Sequence, residues 1–294
     1  DPKAITCGVE IIQQGKTAFF KARGLYEGKG VVSASEIQGV FQAFERMQGM
    51  GKASEQFLVE EGEVGEEFSY YALVDGKNVL CLKSAQDNKR IFDDDKGDMT
   101  GGMGAHAPAL ITQGLEEKIE EEIVRRTVEG LIKEETPYTG WLYVGGMVLP
   151  NKELKVIEFN SRLGDPECHV LLPGIQNKYL DLVEAALAQR LDQVKLVQDD
   201  LSRICIIGAS LGYPGSYEKG KRVTIDYDNL PAGTHVLSAG IGMNERGEFV
   251  TIGGRIFSVV AEAKTIIEAM ALGYQAMECC QVEGGFQSRS DIGL

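Results

Sequence analysis

Histidine, tryptophan and paired cysteine are scarce in this chain, and each shortage removes a class of chemistry. Only three histidines occur in 294 residues, His106, His169 and His235, and they are widely separated. That scatter argues against a His-based triad or a His-rich metal centre. The six cysteines (Cys7, Cys81, Cys168, Cys205, Cys279 and Cys280) form no CxxC pair and no zinc spacing. Such use suits a reducing cytosol, and the adjacent Cys279 and Cys280 read as helix residues rather than a disulfide. Basic residues are outnumbered, 30 Lys and Arg against 44 Asp and Glu, for a net charge of −14. Nucleic acid is therefore not an expected partner, because phosphate contacts need clustered Lys and Arg. No apolar run approaches the ~20 residues of a membrane helix, and no charged-then-apolar leader opens the chain. No membrane partner is expected, and the cytoplasm is the expected compartment. The first residue is Asp1 rather than Met, which reads as a processed or trimmed piece.

What remains is an average globular composition, 43% apolar and 25% charged, in a chain long enough for one large or two ordinary domains. Residues 1–65 read as a small αβ unit. Thr17–Phe20 is a strand, and Ser33-Ala-Ser-Glu36 is a capping box for a helix through Ile37, Val40, Phe41, Phe44 and Met47. Gln56–Val59 is a second strand. Residues 66–195 read as a core. A hairpin of Phe68–Val74 and Val79–Lys83 turns at Asp75–Asn78, and a long Asp- and Gly-rich loop covers 86–110. An amphipathic helix runs through Leu115, Ile119, Ile123, Val128 and Leu131. Two buried strands, Trp141–Leu149 and Leu154–Phe159, precede a helix at Tyr179–Leu191. Residues 196–294 change to short strands (Arg203–Ala209, Lys221–Ile225, His235–Gly240 and Phe249–Val260) with glycine turns and a closing helix over 261–280, a separate and mostly β domain.

Four stretches carry chemistry. In Glu158-Phe-Asn160-Ser-Arg162-Leu-Gly-Asp165-Pro-Glu167, strand alternation puts Glu158 and Asn160 on one face, roughly 6–7 Å apart. A carboxylate and an amide oxygen at that spacing can share a Mg²⁺, whose remaining ligands are waters and phosphates. The same residues also fit a strand end with a solvated charged turn. In Lys21-Ala-Arg23-Gly24-Leu-Tyr-Glu-Gly28-Lys29-Gly30, glycines let backbone N–H groups approach a phosphate while Lys21 and Lys29 add charge. The stretch is neither a P-loop nor a GxGxxG fingerprint, and a plain turn also fits it. Glu60, Glu61 and Glu67 lie in an acidic linker that can meet an adenine amine and a ribose hydroxyl, or stand as a solvated hinge. Lys89-Arg90 leads into Thr100-Gly101-Gly102-Met103-Gly104, a pattern suited to a phosphorylated substrate lying on backbone N–H groups. A structureless loop of that length is usually functional or disordered, and this one is too apolar for disorder.

Taken in this order, the motifs resemble the glycinamide ribonucleotide synthetase (phosphoribosylamine–glycine ligase) family of the ATP-grasp superfamily. Gly212-Tyr-Pro-Gly215, Gly253-Gly254-Arg255 and the ending Arg289–Gly293 resemble that family's carboxy-terminal domain. The resemblance thus covers nearly the whole chain. It implies an α+β ATP-grasp fold, with 1–65 as lid, 66–195 as core and 196–294 as a β-rich carboxy-terminal domain. It implies ATP as co-substrate with Mg²⁺ or Mn²⁺, and the joining of glycine to 5-phosphoribosylamine through glycyl phosphate in purine synthesis. By the resemblance, Lys21, Glu60, Glu61 and Glu67 fall at the nucleotide, and Lys89 and Arg90 near its phosphates. Glu158 and Asn160 hold the metal. Arg162, Asp165 and Thr100–Gly104 face glycine and phosphoribosylamine, with Arg162 and Asp165 as the catalytic pair.

Departures accompany the likeness. Arg23 stands where the family has Asp, Asp98-Met99 where it has Pro-Asn, and Ser238-Ala-Gly-Ile241 where it has His-Ala-Gly-Thr. The family's amino-terminal domain and the first part of its core have no counterpart here. Two rival expectations follow: an ATP-grasp ligase with another carboxylate and amine, and a nucleotide-binding module without turnover.

Overall fold

The computed structural model describes residues 2–24 and 30–294. They form two compact units, divided at Gly65/Glu66.

In the first unit, helices α1 (Pro2–Gln13) and α2 (Ile37–Gly49) accompany strands β1 (Ala18–Ala22), β2 (Val31–Ala34) and β3 (Phe57–Glu61). The sheet is antiparallel in the order β2-β1-β3. Alternation on β1 sends Ala18 and Phe20 inward to Ile11, Val40, Ala43 and Met47 and leaves Phe19 and Lys21 on the other face. Gly8 permits this packing, since a Cβ there would lie 2.9 Å from Val40. The expected capping box at Ser33–Glu36 does not form. Ser33 pairs with Phe19 in the sheet, and α2 begins after Glu36 with no side-chain cap. The demands of the β1–β2 ladder outweigh the local cap signal.

The second unit opens with β4 (Glu66–Asp75), β5 (Val79–Cys81), β6 (Gln86–Asp87), β7 (Arg90–Phe92), β8 (Lys96–Met99) and β9 (Gly104–Ala107). A helical stretch follows, α3 (Glu116–Ile119) and α4 (Arg126–Lys133) joined by a π-helical segment. Then come β10 (Thr139–Val148), β11 (Leu154–Asn160), α5 (Glu167–Leu171) and α6 (Tyr179–Leu187). The chain closes with β12 (Ser202–Ala209), β13 (Val223–Ile225), β14 (Thr234–Ser238), β15 (Ile241–Met243), β16 (Phe249–Thr251), β17 (Arg255–Ala263), α7 (Ile266–Met277) and β18 (Cys280–Val282).

Two antiparallel sheets organise the unit, β11-β10-β4-β5 and β14-β17-β12-β9-β6. Strand β4 is buried on both faces. Phe68, Tyr70, Ala72 and Val74 pack with Ile119, Ile123 and Val128 of the helical stretch, while Tyr71 joins Met103, Ala105, Cys205 and Ile207. The expected hairpin at Asp75–Asn78 is present. Asp75 fixes it by accepting from the amides of Lys77 (3.2 Å) and Asn78 (2.8 Å) and, across the core, from Leu191 (3.0 Å).

Four details differ from the sequence reading. The stretch 86–110 is not a structureless loop: it contains the β7–β8 hairpin and two strands of the second sheet. Strand β11 is an edge strand with most residues exposed rather than buried. The strand read as Phe249–Val260 breaks at Ile252–Gly254 into β16 and β17. Helix α7, capped by the Thr265–Glu268 box, ends at Met277, so Cys280 opens β18; all six cysteines are free. The second sheet takes strands from both 86–107 and 202–263, which joins the stretch beyond 196 to the one before it.

Candidate active site

The site grows from one face of the first sheet. On β4, Glu67, Ser69 and Tyr71 alternate onto the same side. Across the ladder they face Met147, Gly145 and Tyr143 of β10, and Gly145 and Tyr143 in turn face Glu158 and Asn160 of β11. Glu158 and Asn160 therefore share a face, as alternation predicts. Gly145 makes the space, since a Cβ there would lie 3.1 Å from Glu158 Cγ and 3.2 Å from the Tyr143 hydroxyl.

Lys89 reaches onto this face and donates to Glu67 Oε2 at 2.6 Å. Burial pulls the Lys89 ammonium down, but Glu67, Tyr143 and Asp87 outweigh it and raise its pKa, so it stays charged. Glu167, only 3% exposed at the start of α5, accepts from Ser69 Oγ (2.9 Å) and the Tyr71 hydroxyl (3.0 Å). Gly164 allows this approach, for a Cβ there would sit 2.3 Å from the Tyr71 hydroxyl. Burial, with Glu167 adding to it, pushes the Tyr143 phenol up to about 12. Asp87 also lies in this field. Burial first, then Glu167, lifts its carboxyl well above the usual range, and its Oδ1 has no hydrogen-bond partner.

Two loops border the face. In the Thr-Gly-Gly-Met loop the amides are already paired: Thr100 N–H with Lys89 O (2.8 Å), Gly101 with the Tyr213 hydroxyl (3.0 Å), Gly102 with Thr100 Oγ1 (3.0 Å) and Met103 with Asn88 O (2.8 Å). These four N–H groups are not presented to a phosphate in this conformation, and the Met103 side chain is fully buried in the core. Gly104 enters β9 opposite Ile206. In the second loop Asp165 is held by Arg255, whose Nη2 donates to Oδ2 at 2.9 Å. Arg162 is exposed and donates to Leu163 O (3.1 Å). Beside the first loop lies a cavity of about 330 Å³, bordered by Gly97, Asp98, Tyr213 and Pro214.

The remaining expected residues divide. Arg90 does not join Lys89: it lies on β7 and donates to Gly97 O (2.8 Å) within its own hairpin. In the first unit Lys21 pairs with Glu60 at 2.6 Å, whereas Glu61, on the opposite face of β3, pairs with Lys16 at 2.6 Å. Lys29 lies outside the described residues. No group of three or more His, Cys, Asp or Glu side chains arranged to hold a metal occurs among the described residues. Glu158 and Asn160 nevertheless give the hard oxygen pair that Mg²⁺ accepts when phosphates and water complete its shell.

Sequence reasoning passed over Ser69, Tyr71, Asp87, Tyr143, Tyr213 and Arg255. Ser69 and Tyr71 were detectable as polar positions on one parity of an otherwise apolar strand. Tyr213 and Arg255 sat in motifs noted only for their carboxy-terminal likeness.

Comparison with known proteins adds to this geometry. Residues 4–168 match the family model described as phosphoribosylglycinamide synthetase, ATP-grasp (A) domain, and 203–294 match the C domain of the same synthetase. A relative from Arabidopsis thaliana, named phosphoribosylamine–glycine ligase, chloroplastic, is 41% identical over 290 residues, which cover 96% of this chain and 54% of that one. The chain thus spans about half the length of that relative. The crystal structure of phosphoribosylamine–glycine ligase from Thermotoga maritima superposes with a TM-score of 0.81 at 30% identity, covering 94% of this chain and 68% of that one. The biotin carboxylase domain of Hydrogenobacter thermophilus 2-oxoglutarate carboxylase, solved with MgADP and bicarbonate, gives 0.71 at 19% identity, covering 98% and 61%. That last likeness concerns the fold alone.

Proposed function

This chain belongs to the phosphoribosylglycinamide synthetase family, with an α+β ATP-grasp fold, and we propose that it carries the site of an ATP-dependent ligase joining glycine to 5-phosphoribosylamine. The observation that carries the reading is the polar sheet face on which Lys89, Glu67, Glu158 and Asn160 converge, within a chain 41% identical to a named ligase.

In the proposed reaction the glycine carboxylate attacks the γ-phosphate of ATP, releasing ADP and forming glycyl phosphate. The amine of phosphoribosylamine then attacks the acyl carbon, phosphate leaves, and the amide of glycinamide ribonucleotide forms. Transfer of this kind asks for positioning and charge neutralisation rather than a protein nucleophile. Lys89 supplies a permanent cation for the phosphates, and Glu67 orients it. Lys21 and Glu60, paired on the first unit's sheet, are proposed to contact the nucleotide. Arg162 is an exposed cation suited to the acceptor's phosphate, while Asp165 and Thr100–Gly104 shape the acceptor side. Glu158 and Asn160 would hold Mg²⁺ or Mn²⁺, which when bound offsets the triphosphate charge. The six free cysteines fit a reducing compartment such as the cytosol. The relatives are longer, and residues beyond these 294 are proposed to complete the acceptor site.

The test is ADP release that requires both glycine and phosphoribosylamine, with the product identified by mass. It is run on the 294-residue chain and on a protein of the relatives' length. ADP release with another carboxylate and amine, and none with this pair, would overturn the substrate assignment. Asp98 on the wall of the cavity favours that second reading, since an acidic wall repels a phosphate and suits a cationic amine.

A further inference from the structure

Arg255, the first residue of β17, reaches both loops that border the site. Its Nη1 donates to the carbonyls of Gly101 (2.9 Å), Gly102 (3.4 Å) and Asp165 (3.0 Å) and to Asp165 Oδ1 (3.2 Å). Its Nη2 donates to Asp165 Oδ2 at 2.9 Å. Tyr213 holds the other side of the same residue, accepting from the Gly101 amide of the preceding peptide. Gly254 lets the tyrosine ring lie against this strand, since a Cβ there would come 2.3 Å from Tyr213 Cδ2. An exposed ion pair alone stabilises little. Here the planar fork binds a carboxylate with both nitrogens and takes three backbone carbonyls besides, a geometry an ammonium cannot reproduce. Gly102 is also committed to one conformation. Its φ is +107°, and a Cβ would lie 2.5 Å from Pro166 and 2.8 Å from Asp87 Oδ1.

We propose that Arg255 is a positioning residue that staples the Gly101–Gly102 peptides to the Asp165 turn, so that the two acceptor-side loops order as one. Asp165 then serves as the anchor of the staple, with both carboxylate oxygens engaged, rather than as a group that touches substrate. The loop presents its fixed shape, and not free N–H groups, to the ligand. The identity of that ligand rests on the ligase reading; the stapling does not.

Hydrogen exchange and Mg-ATP titration on the parent chain and on Arg255→Gln, Arg255→Lys, Asp165→Asn and the Arg255→Gln/Asp165→Asn double variant test this. Arg255→Gln is expected to speed exchange at Gly101–Met103 and at Leu163–Asp165 together, by about tenfold or more, with α7 unchanged. Arg255→Lys keeps the charge and stem and should give the same two-loop pattern. Asp165→Asn should reproduce it too, and the double variant should add nothing further. Affinity for Mg-ATP should stay within about twofold, while KM for glycine and phosphoribosylamine rises more than kcat falls. Loosening of one loop without the other, additive effects in the double variant, or unchanged exchange in Arg255→Gln would overturn the staple. Coupled loosening in a protein of the relatives' length that releases ADP with another carboxylate and amine, and not with glycine and phosphoribosylamine, would sink the ligase reading and leave the staple standing.

Discussion

Acid should weaken the second unit, and the contribution that can be isolated is that of His106. It lies on β9 between Gln86 and Ile204 in the ladder, is 2% exposed, and neither ring nitrogen has a hydrogen-bond partner. Burial alone pulls its pKa down to about 4 from 6.5. The folded state therefore resists protonation that the unfolded chain accepts, and the unfolded state binds more protons between these two values. Stability is full above about pH 6.5 and is lost as the pH falls toward 4. Linkage with these two values gives a loss on the order of 1 kcal/mol by roughly pH 5.5 and about 2 kcal/mol by roughly pH 4.5, relative to neutral pH. Depressed carboxyls at Asp75, Asp199 and Asp291 lose stability in the same direction at lower pH, and raised Asp87 opposes them. A difference experiment removes these shared contributions. Urea unfolding of the parent and of His106→Phe, followed by the fluorescence of Trp141, reports on the unit that holds His106. The parent should lose stability relative to the variant by the amounts above. A difference between the two proteins that stays constant from neutral pH to about pH 4.5 would show that His106 has a partner or water that keeps its pKa ordinary.

Three further outcomes follow from the site. Glu158→Ala, on an exposed edge strand, should leave the melting temperature nearly unchanged and reduce Mg-dependent ATP turnover by about a hundredfold; near-parent turnover in the folded variant would remove Glu158 from the metal. Lys89→Met removes the cation proposed for the phosphates and leaves Glu67 without its partner; a charged hydrogen bond to phosphate is worth about 1.5–3 kcal/mol, so Mg-ATP affinity measured by calorimetry should fall about 10- to 100-fold. Gly102→Ala forces a side chain onto Pro166 and Asp87 at a φ of +107°; thermal unfolding should show a loss of about 1–3 kcal/mol, and an unshifted midpoint would mean the loop relaxes freely.

The strands that carry the site were legible because their patterns are local. The Asp75–Asn78 hairpin follows from its turn residues, and the shared face of Glu158 and Asn160 follows from alternation alone. The 86–110 region was not legible. Its strands are two to four residues long, too short for a pattern to show, and β9, the strand that ties the region into the second sheet, depends on a distant partner, Gly104–Ala107 pairing with Arg203–Ile206. Burial of β11 was misread for a related reason: an apolar run shows that a strand can be covered, while its place at the sheet edge is set by what lies beyond it. Lys89 and Arg90 looked equivalent as neighbours in sequence. One meets Glu67 and the other its own hairpin, because adjacent residues on an extended chain point to opposite sides.

Charge explains why a chain of net −14 can be read as a nucleotide enzyme, and why the proposal requires a divalent cation. Glu67, Glu158 and Glu167 all act on the field around Tyr143, Lys89 and Asp87, and Asp165 adds to it beside Arg255. Lys89 and Arg255 oppose these carboxylates in the same field, and each is already paired. A bare triphosphate entering such a site would meet repulsion that Lys89 alone could not offset, since unit charges a few ångströms apart interact by several kcal/mol at the dielectric of a protein surface. With a divalent ion bound beside the nucleotide, as proposed, Glu158 would meet the opposite sign of interaction. The acidic face then becomes an attraction for the metal complex and a barrier to the free nucleotide. The excess of carboxylates thus fits the proposed Mg-ATP site by the same Coulomb argument that sets this chain against nucleic acid.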